Sequence, residues 1–135
     1  MKIYNDWNEA LYKNIAIKTG VQQTVKDVSY ARFAFYHNPE KRYAERIDED
    51  AFILGVVNKD NFRIIGMGTN TEMQGKGYAT MLLNRAKYFC YKKGIKKMIT
   101  RTFVGKDFYI KVANAKIIAK KKDDYVMEIN VWVMK

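Results

Sequence analysis

The chain of 135 residues contains one cysteine, one histidine and one proline. A lone cysteine excludes an intrachain disulfide, and with a single histidine no Cys/His zinc site is expected, so no metal is expected. No apolar run is long enough to span a bilayer, and the opening residues MKIYNDWNEA lack the apolar core of a secretory signal, which makes the cytoplasm the expected compartment. No Ser- or Gly-rich linker and no repeat divides the chain, and Pro39 is its one proline. With 48% hydrophobic content this length suits one core, so residues 1–135 are expected to form one domain.

Acidic residues are also scarce: 14 Asp and Glu stand against 25 Lys and Arg, a net charge of +11. A surface of that sign suits an acidic partner, whether cofactor phosphates or nucleic acid, although the excess is mostly lysine and no RNA-binding motif accompanies it. Lys76, Arg85, Lys87, Lys92, Lys93, Lys96 and Lys97 fall in or after one glycine turn, and Lys120, Lys121 and Lys122 form a second run. The single thiol, Cys90, lies on the apolar face of an expected helix and reads as core. His37 has no evident catalytic partner.

What the chain does contain is Gln74-Gly75-Lys76-Gly77-Tyr78-Ala79, two glycines one residue apart where an extended run meets an amphipathic one. Phe62 to Asn70 has strand character. Ala79, Leu82, Leu83, Ala86, Phe89 and Cys90 then recur at helical spacing until Gly94. Glycines at a strand-to-helix junction let backbone N–H groups converge on a ligand, and the unpaired N–H groups of the first helical turn favour phosphate oxygens. The P-loop pattern fails, because Asn70 stands at its first glycine and Gly77 at its hydroxyl position. The dinucleotide fingerprint fails at Thr80.

What remains is Q-x-x-G-x-A, formed by Gln74, Gly77 and Ala79. It resembles the pyrophosphate-binding signature of the GNAT superfamily of acyl-CoA-dependent N-acetyltransferases. Downstream, Phe108-Tyr109-Ile110-Lys111 is similar to that family's F-Y-x-K segment; Asn114 then stands for the usual glycine, and Thr102 lies near the place of a missing asparagine. The resemblance covers roughly Ile53 to Met134 and is slight before Ala51. It implies an α+β fold with a mixed, mostly antiparallel sheet flanked by helices, and acetyl-CoA as co-substrate for an amine acceptor on a protein or small molecule. It further implies that Met67, Gly68 and Thr69 lend backbone to the pantetheine and thioester. Gln74, Gly75, Lys76, Gly77, Tyr78 and Ala79 hold the phosphates, and Tyr109 protonates the leaving sulfur.

The same resemblance leaves two alternatives open: an aminoacyl-tRNA acetylating toxin that would use the basic surface for tRNA, or a GNAT-fold binding protein without turnover. No general base is assigned. Arg63 occupies the approximate position of the family's glutamate, and the acids considered near the cleft are Glu45, Asp48, Glu49, Asp50, Asp60 and Glu72.

For the remaining elements the pattern predicts a helix over Asp6 to Lys18 and a strand over Ala31 to Tyr36. A short helix is predicted over Glu40 to Ile47 and a strand over Ala51 to Val57, turning at Asn58 to Asn61. Ile95 to Phe103, Ala115 to Ala119 and Tyr125 to Val133 are also predicted strands, the last two joined around KKKDD. Val21 to Tyr30 fits no single pattern.

Overall fold

In a computed structural model, which describes residues 1–102 and 105–132, a seven-stranded sheet carries helices on both faces. The elements in chain order are β1 (Ile3–Tyr4), α1 (Glu9–Lys18), α2 (Gln22–His37), β2 (Arg42–Ile47), β3 (Ala51–Val57), β4 (Asn61–Thr69), α3 (Tyr78–Lys93), β5 (Lys97–Thr102), α4 (Lys106–Ala113), β6 (Lys116–Lys121) and β7 (Asp124–Asn130). The strand order is β1-β2-β3-β4-β5-β7-β6. Every neighbouring pair is antiparallel except β4 and β5, which α3 joins as a crossover. This is the expected α+β class with a mostly antiparallel mixed sheet.

Two cores flank the sheet. Alternation along β3 sends Ala51 and Ile53 to a core shared with Leu82, Leu83, Ala86 and Cys90 of α3, while Phe52 and Leu54 enter one with Tyr12, Ile15, Val28 and Phe35 of α1 and α2. Burying a side chain such as Phe52 or Phe62 is worth roughly 1.5–3 kcal/mol. Both cores therefore clamp β3 and β4 between helical layers. Cys90 is fully buried and burial pushes its thiol up to about 12, as suits a packing residue.

Two expectations are corrected. Ala31 to Tyr36 is not a strand but the second half of α2. Its alternation of aromatic residues is superficial, since Thr24, Val28, Ala31 and Phe35 form the buried stripe while Phe33 and Tyr36 are exposed. Glu40 to Ile47 is not a helix: a short 3-10 turn over Pro39–Lys41 leads into β2. Glu, Arg and Ala favour helices, but sheet pairing on both sides and ion pairs for the inward charges override that preference. Arg46 bonds Asp6 through two nitrogens at 2.9 Å each, and Glu45 takes Arg85 of α3 at 2.7 and 3.0 Å.

Other elements agree within a few residues. Asn8 caps α1 by accepting from the Leu11 amide at 3.1 Å, and Gly94 ends α3 in the left-handed region. Asn114 ends α4 with φ of 56°, taking the conformation a glycine would supply. The C-terminal hairpin turns at Lys122-Asp123, between β6 and β7. Phe103 and Val133, the ends of two expected strands, lie outside the described residues.

Candidate functional site

β4 and β5 are paired only from Asn61–Lys97 to Ile64–Thr100. Beyond Ile64, β4 continues to Thr69 with β3 as its partner and none on β5. The cause lies in the register with β3, where Leu54 faces Gly66 and Gly55 faces Ile64, so Ile65 is an extra residue on β4. A bulge of this kind bends a strand and shifts its side-chain phase. Before it Phe62 and Ile64 face the α3 core and Arg63 faces Tyr30 of α2; after it Gly66 and Gly68 meet the α1 and α2 side. The split leaves the backbone edge of Ile65 to Thr69 open to a ligand.

A cleft of roughly 1170 Å³ occupies this split. Met67, Gly68 and Thr69 form one wall, Thr100, Thr102 and Tyr109 the opposite one, and Gln74, Gly75, Gly77, Tyr78 and Ala79 its mouth. Gly75 and Gly77 have φ of 82° and 83°, and Gly77 is the residue before α3. A Cβ built at either would meet nothing within 4 Å, so backbone conformation rather than crowding calls for glycine here. No side chain caps the N-terminus of α3. Its first-turn amides and positive dipole end therefore face the mouth, an arrangement suited to an anion. The Gln74 side-chain amide reaches back to the Thr69 carbonyl at 3.4 Å, tying the turn to the end of β4.

The cleft thus brings together all the residues expected to hold cofactor except Lys76, which is exposed at the apex of the turn and does not line it. Tyr109 lines the cleft from α4, with 6% of its surface exposed. Its phenol is pushed up to about 12 by burial; a hydrogen bond with Thr100 opposes the rise, and the negative charge of Asp27 adds to it. Gly105, before α4, lies against the ring: a Cβ there would stand 3.2 Å from Tyr109 Cε2.

None of the acids considered from sequence lines the cleft. Glu45 is held by Arg85, Asp48 accepts the Lys2 amide, and Asp50 accepts from Asn70. The acids that do line it are Asp27 and Asp124. Asp124 is paired with Arg101 at 2.5 Å. Asp27 of α2 accepts from the neutral Gln23 amide at 3.0 Å, and burial holds its carboxyl above the usual range. The α2 backbone comes this close to β4 because Gly66 has no side chain; a Cβ there would stand 2.7 Å from Asp27 Cβ. Sequence reasoning missed Asp27 because the pattern over Val21 to Tyr30 was unresolved, and the usable signal was Thr24, Val28, Ala31 and Phe35 at helical spacing.

Arg63 donates to the Tyr30 hydroxyl at 2.6 Å and lies 5.1 Å from that ring. Both residues also line a second hollow of roughly 470 Å³, with Phe33, His37 and Lys41. His37 packs on Phe33 with ring centres 4.5 Å apart. Of the basic run, Lys121 reaches the main cleft and Lys120 lies over Tyr125. Among the described residues no group of His, Cys, Asp and Glu could hold a metal ion, and no helix is long and apolar enough to cross a membrane.

A split parallel pair with a glycine turn at its mouth, between two helical layers, is the architecture of an acyltransferase fold. The acetyltransferase (GNAT) family model matches residues 3–111, and the chain belongs to that family. The match reaches well before Ala51, where motif resemblance had been slight. Solved structures agree in fold. The PaiA N-acetyltransferase of Thermoplasma acidophilum, in complex with coenzyme A, superposes with a TM-score of 0.73 at 15% identity, covering 96% of this chain and 99% of that one. The ribosomal-protein-S18-alanine N-acetyltransferase of Escherichia coli gives 0.75 at 11%, covering 99% and 96%. The aminoglycoside 6'-N-acetyltransferase of Enterococcus faecium gives 0.70 at 13%, covering 100% and 99%. No curated protein matches the sequence.

Proposed function

We propose that this chain, acting as one domain in the cytoplasm, transfers an acetyl group from acetyl-CoA to a primary amine on a protein or small molecule. The observation that carries the reading is the meeting, in one cleft, of the unpaired β4 edge at Met67 to Thr69 with the glycine turn at Gly75 to Gly77. In this reading the pyrophosphate lies on the amides of the turn and of Tyr78 and Ala79, with Lys76 adding charge from outside. The pantetheine extends β4 by pairing with its free edge, which also points a backbone N–H at the thioester oxygen, where negative charge develops on attack. The relatives support the reading through their fold and, for the Thermoplasma protein, through its bound coenzyme A.

Tyr109 then faces the leaving sulfur. A phenol near 12 stays protonated at any ordinary assay pH, yet full transfer to the thiolate would be uphill, because an alkyl thiol is a stronger acid than this phenol. Its contribution is a hydrogen bond donated as the C–S bond breaks, with the proton shed by the attacking nitrogen completing the balance. Calorimetric titration with acetyl-CoA, followed by mass spectrometry of peptides and aminoglycosides incubated with the protein and acetyl-CoA, tests the proposal. Micromolar binding and a product heavier by one acetyl group are expected. Absence of any acetyl-CoA binding by the folded protein would overturn it.

A further inference from the structure

We propose that Asp27 is the seat of the acceptor's ammonium group, which α2 holds beside the thioester until it gives one proton to solvent and attacks as the neutral amine. The inference rests on the acetyl-transfer reading for its purpose, but its evidence is separate. Asp27 sits in the second turn of α2, past the first-turn amides that a carboxylate would cap, and it lies against Gly66, one residue before the segment expected to carry the thioester. Its Oδ1 accepts from Gln23, and among the described residues no cation pairs with it. Leaving a half-buried carboxylate without a cation costs free energy, and a ligand cation offsets that cost.

The surroundings suit a cation from outside. The cations lining the cleft from other elements are Arg63 of β4, Arg101 of β5 and Lys121 of β6. Arg63 is bonded to Tyr30 and Arg101 to Asp124. Lys121 comes from the hairpin strand at the far side of the β5–β7 pairing. From α4 the facing titratable group is Tyr109, whose phenol feels the charge of Asp27. A cation at Asp27 therefore stands between the β4 edge and the phenol, on the α2 side of the split, while the cofactor enters from the α3 side.

The test follows the carboxyl-carbon resonance of Asp27, assigned by its disappearance in Asp27→Asn. It is read at neutral pH in coenzyme A-saturated and in free protein, during titration with n-butylammonium chloride at constant ionic strength. A saturable shift with n-butylammonium and none with n-butanol is expected, together with movement of the Asp27 titration midpoint to lower pH when the ammonium is present. A resonance unmoved by millimolar n-butylammonium, or moved equally by n-butanol, would overturn the seat. Because free protein is measured alongside, failure to bind coenzyme A would count against the acetyl-transfer reading and leave the Asp27 result standing.

Discussion

The two walls of the cleft are built on different terms. The wall from Met67 to Ala79, proposed for the cofactor, offers backbone: an unpaired strand edge, two left-handed glycines and the uncapped start of α3. The α2 wall offers side chains, with Asp27, Gln23, Thr24 and Tyr30 projecting from one helix. A ligand read by backbone constrains sequence through conformation, since few residues but glycine hold φ near 80°. A ligand read by side chains constrains only what each position presents, and that is free to change with the ligand.

The largest effect that would sharpen this contrast is expected from Gly77→Glu. It places an anion and a strained backbone where phosphates are to bind, so acetyl-CoA binding should be abolished while circular dichroism shows the fold retained. Unchanged affinity would break the claim that the turn reads phosphate. Next comes Tyr109→Phe, which keeps the ring and removes the donor. A hydrogen bond donated to a developing charge is worth about 1.5–3 kcal/mol. With partial substitution by water, kcat should fall at least roughly tenfold and KM for acetyl-CoA should change little.

Where the two walls touch, Gly66→Ala should force α2 away from β4, because the collision is with Asp27 Cβ rather than with a flexible side-chain end. Overpacking of this kind costs about 1–3 kcal/mol, to be read by thermal or urea denaturation. If stability is unchanged, the close approach of α2 is not what Gly66 is for.

The smallest effect concerns Asp27 in the ligand-free protein. Burial raises its carboxyl pKa in the fold, so its protonation favours folding: the benefit is fully present below the unfolded value near 3.9 and lost as pH rises through the raised folded value. Asp27→Asn should therefore raise Tm at neutral pH, by an amount that shrinks on acidification below that window. A lower Tm at neutral pH would mean that the carboxylate is a structural support.

The same division explains what could be read in advance. β4, the turn and α3 were legible because conformational and periodic signals coincide there: Gly75 and Gly77 fix the turn, and Leu82, Leu83, Ala86 and Cys90 mark one helical face. β2 was not, because Arg42, Ala44, Glu45 and Arg46 are helix-favouring residues made extended by β1 and β3 and by ion pairs to Asp6 and Arg85, distant in sequence. α2 was half hidden, since exposed Phe33 and Tyr36 imitate the alternation of a strand. Asp27 was invisible for a further reason. Its significance comes from Gly66, Tyr109 and the bulge at Ile65, none of them near it in the chain.

The central claim, that acetyl-CoA lies along the free β4 edge and across the glycine turn, is tested most directly by following backbone amide resonances during titration with acetyl-CoA. The largest changes are predicted at Met67, Gly68, Thr69, Gly75, Gly77 and Tyr78, with smaller ones at Tyr109. Changes centred instead on the hollow beside Phe33 and His37, or no saturable change at Gly75 and Gly77, would contradict it.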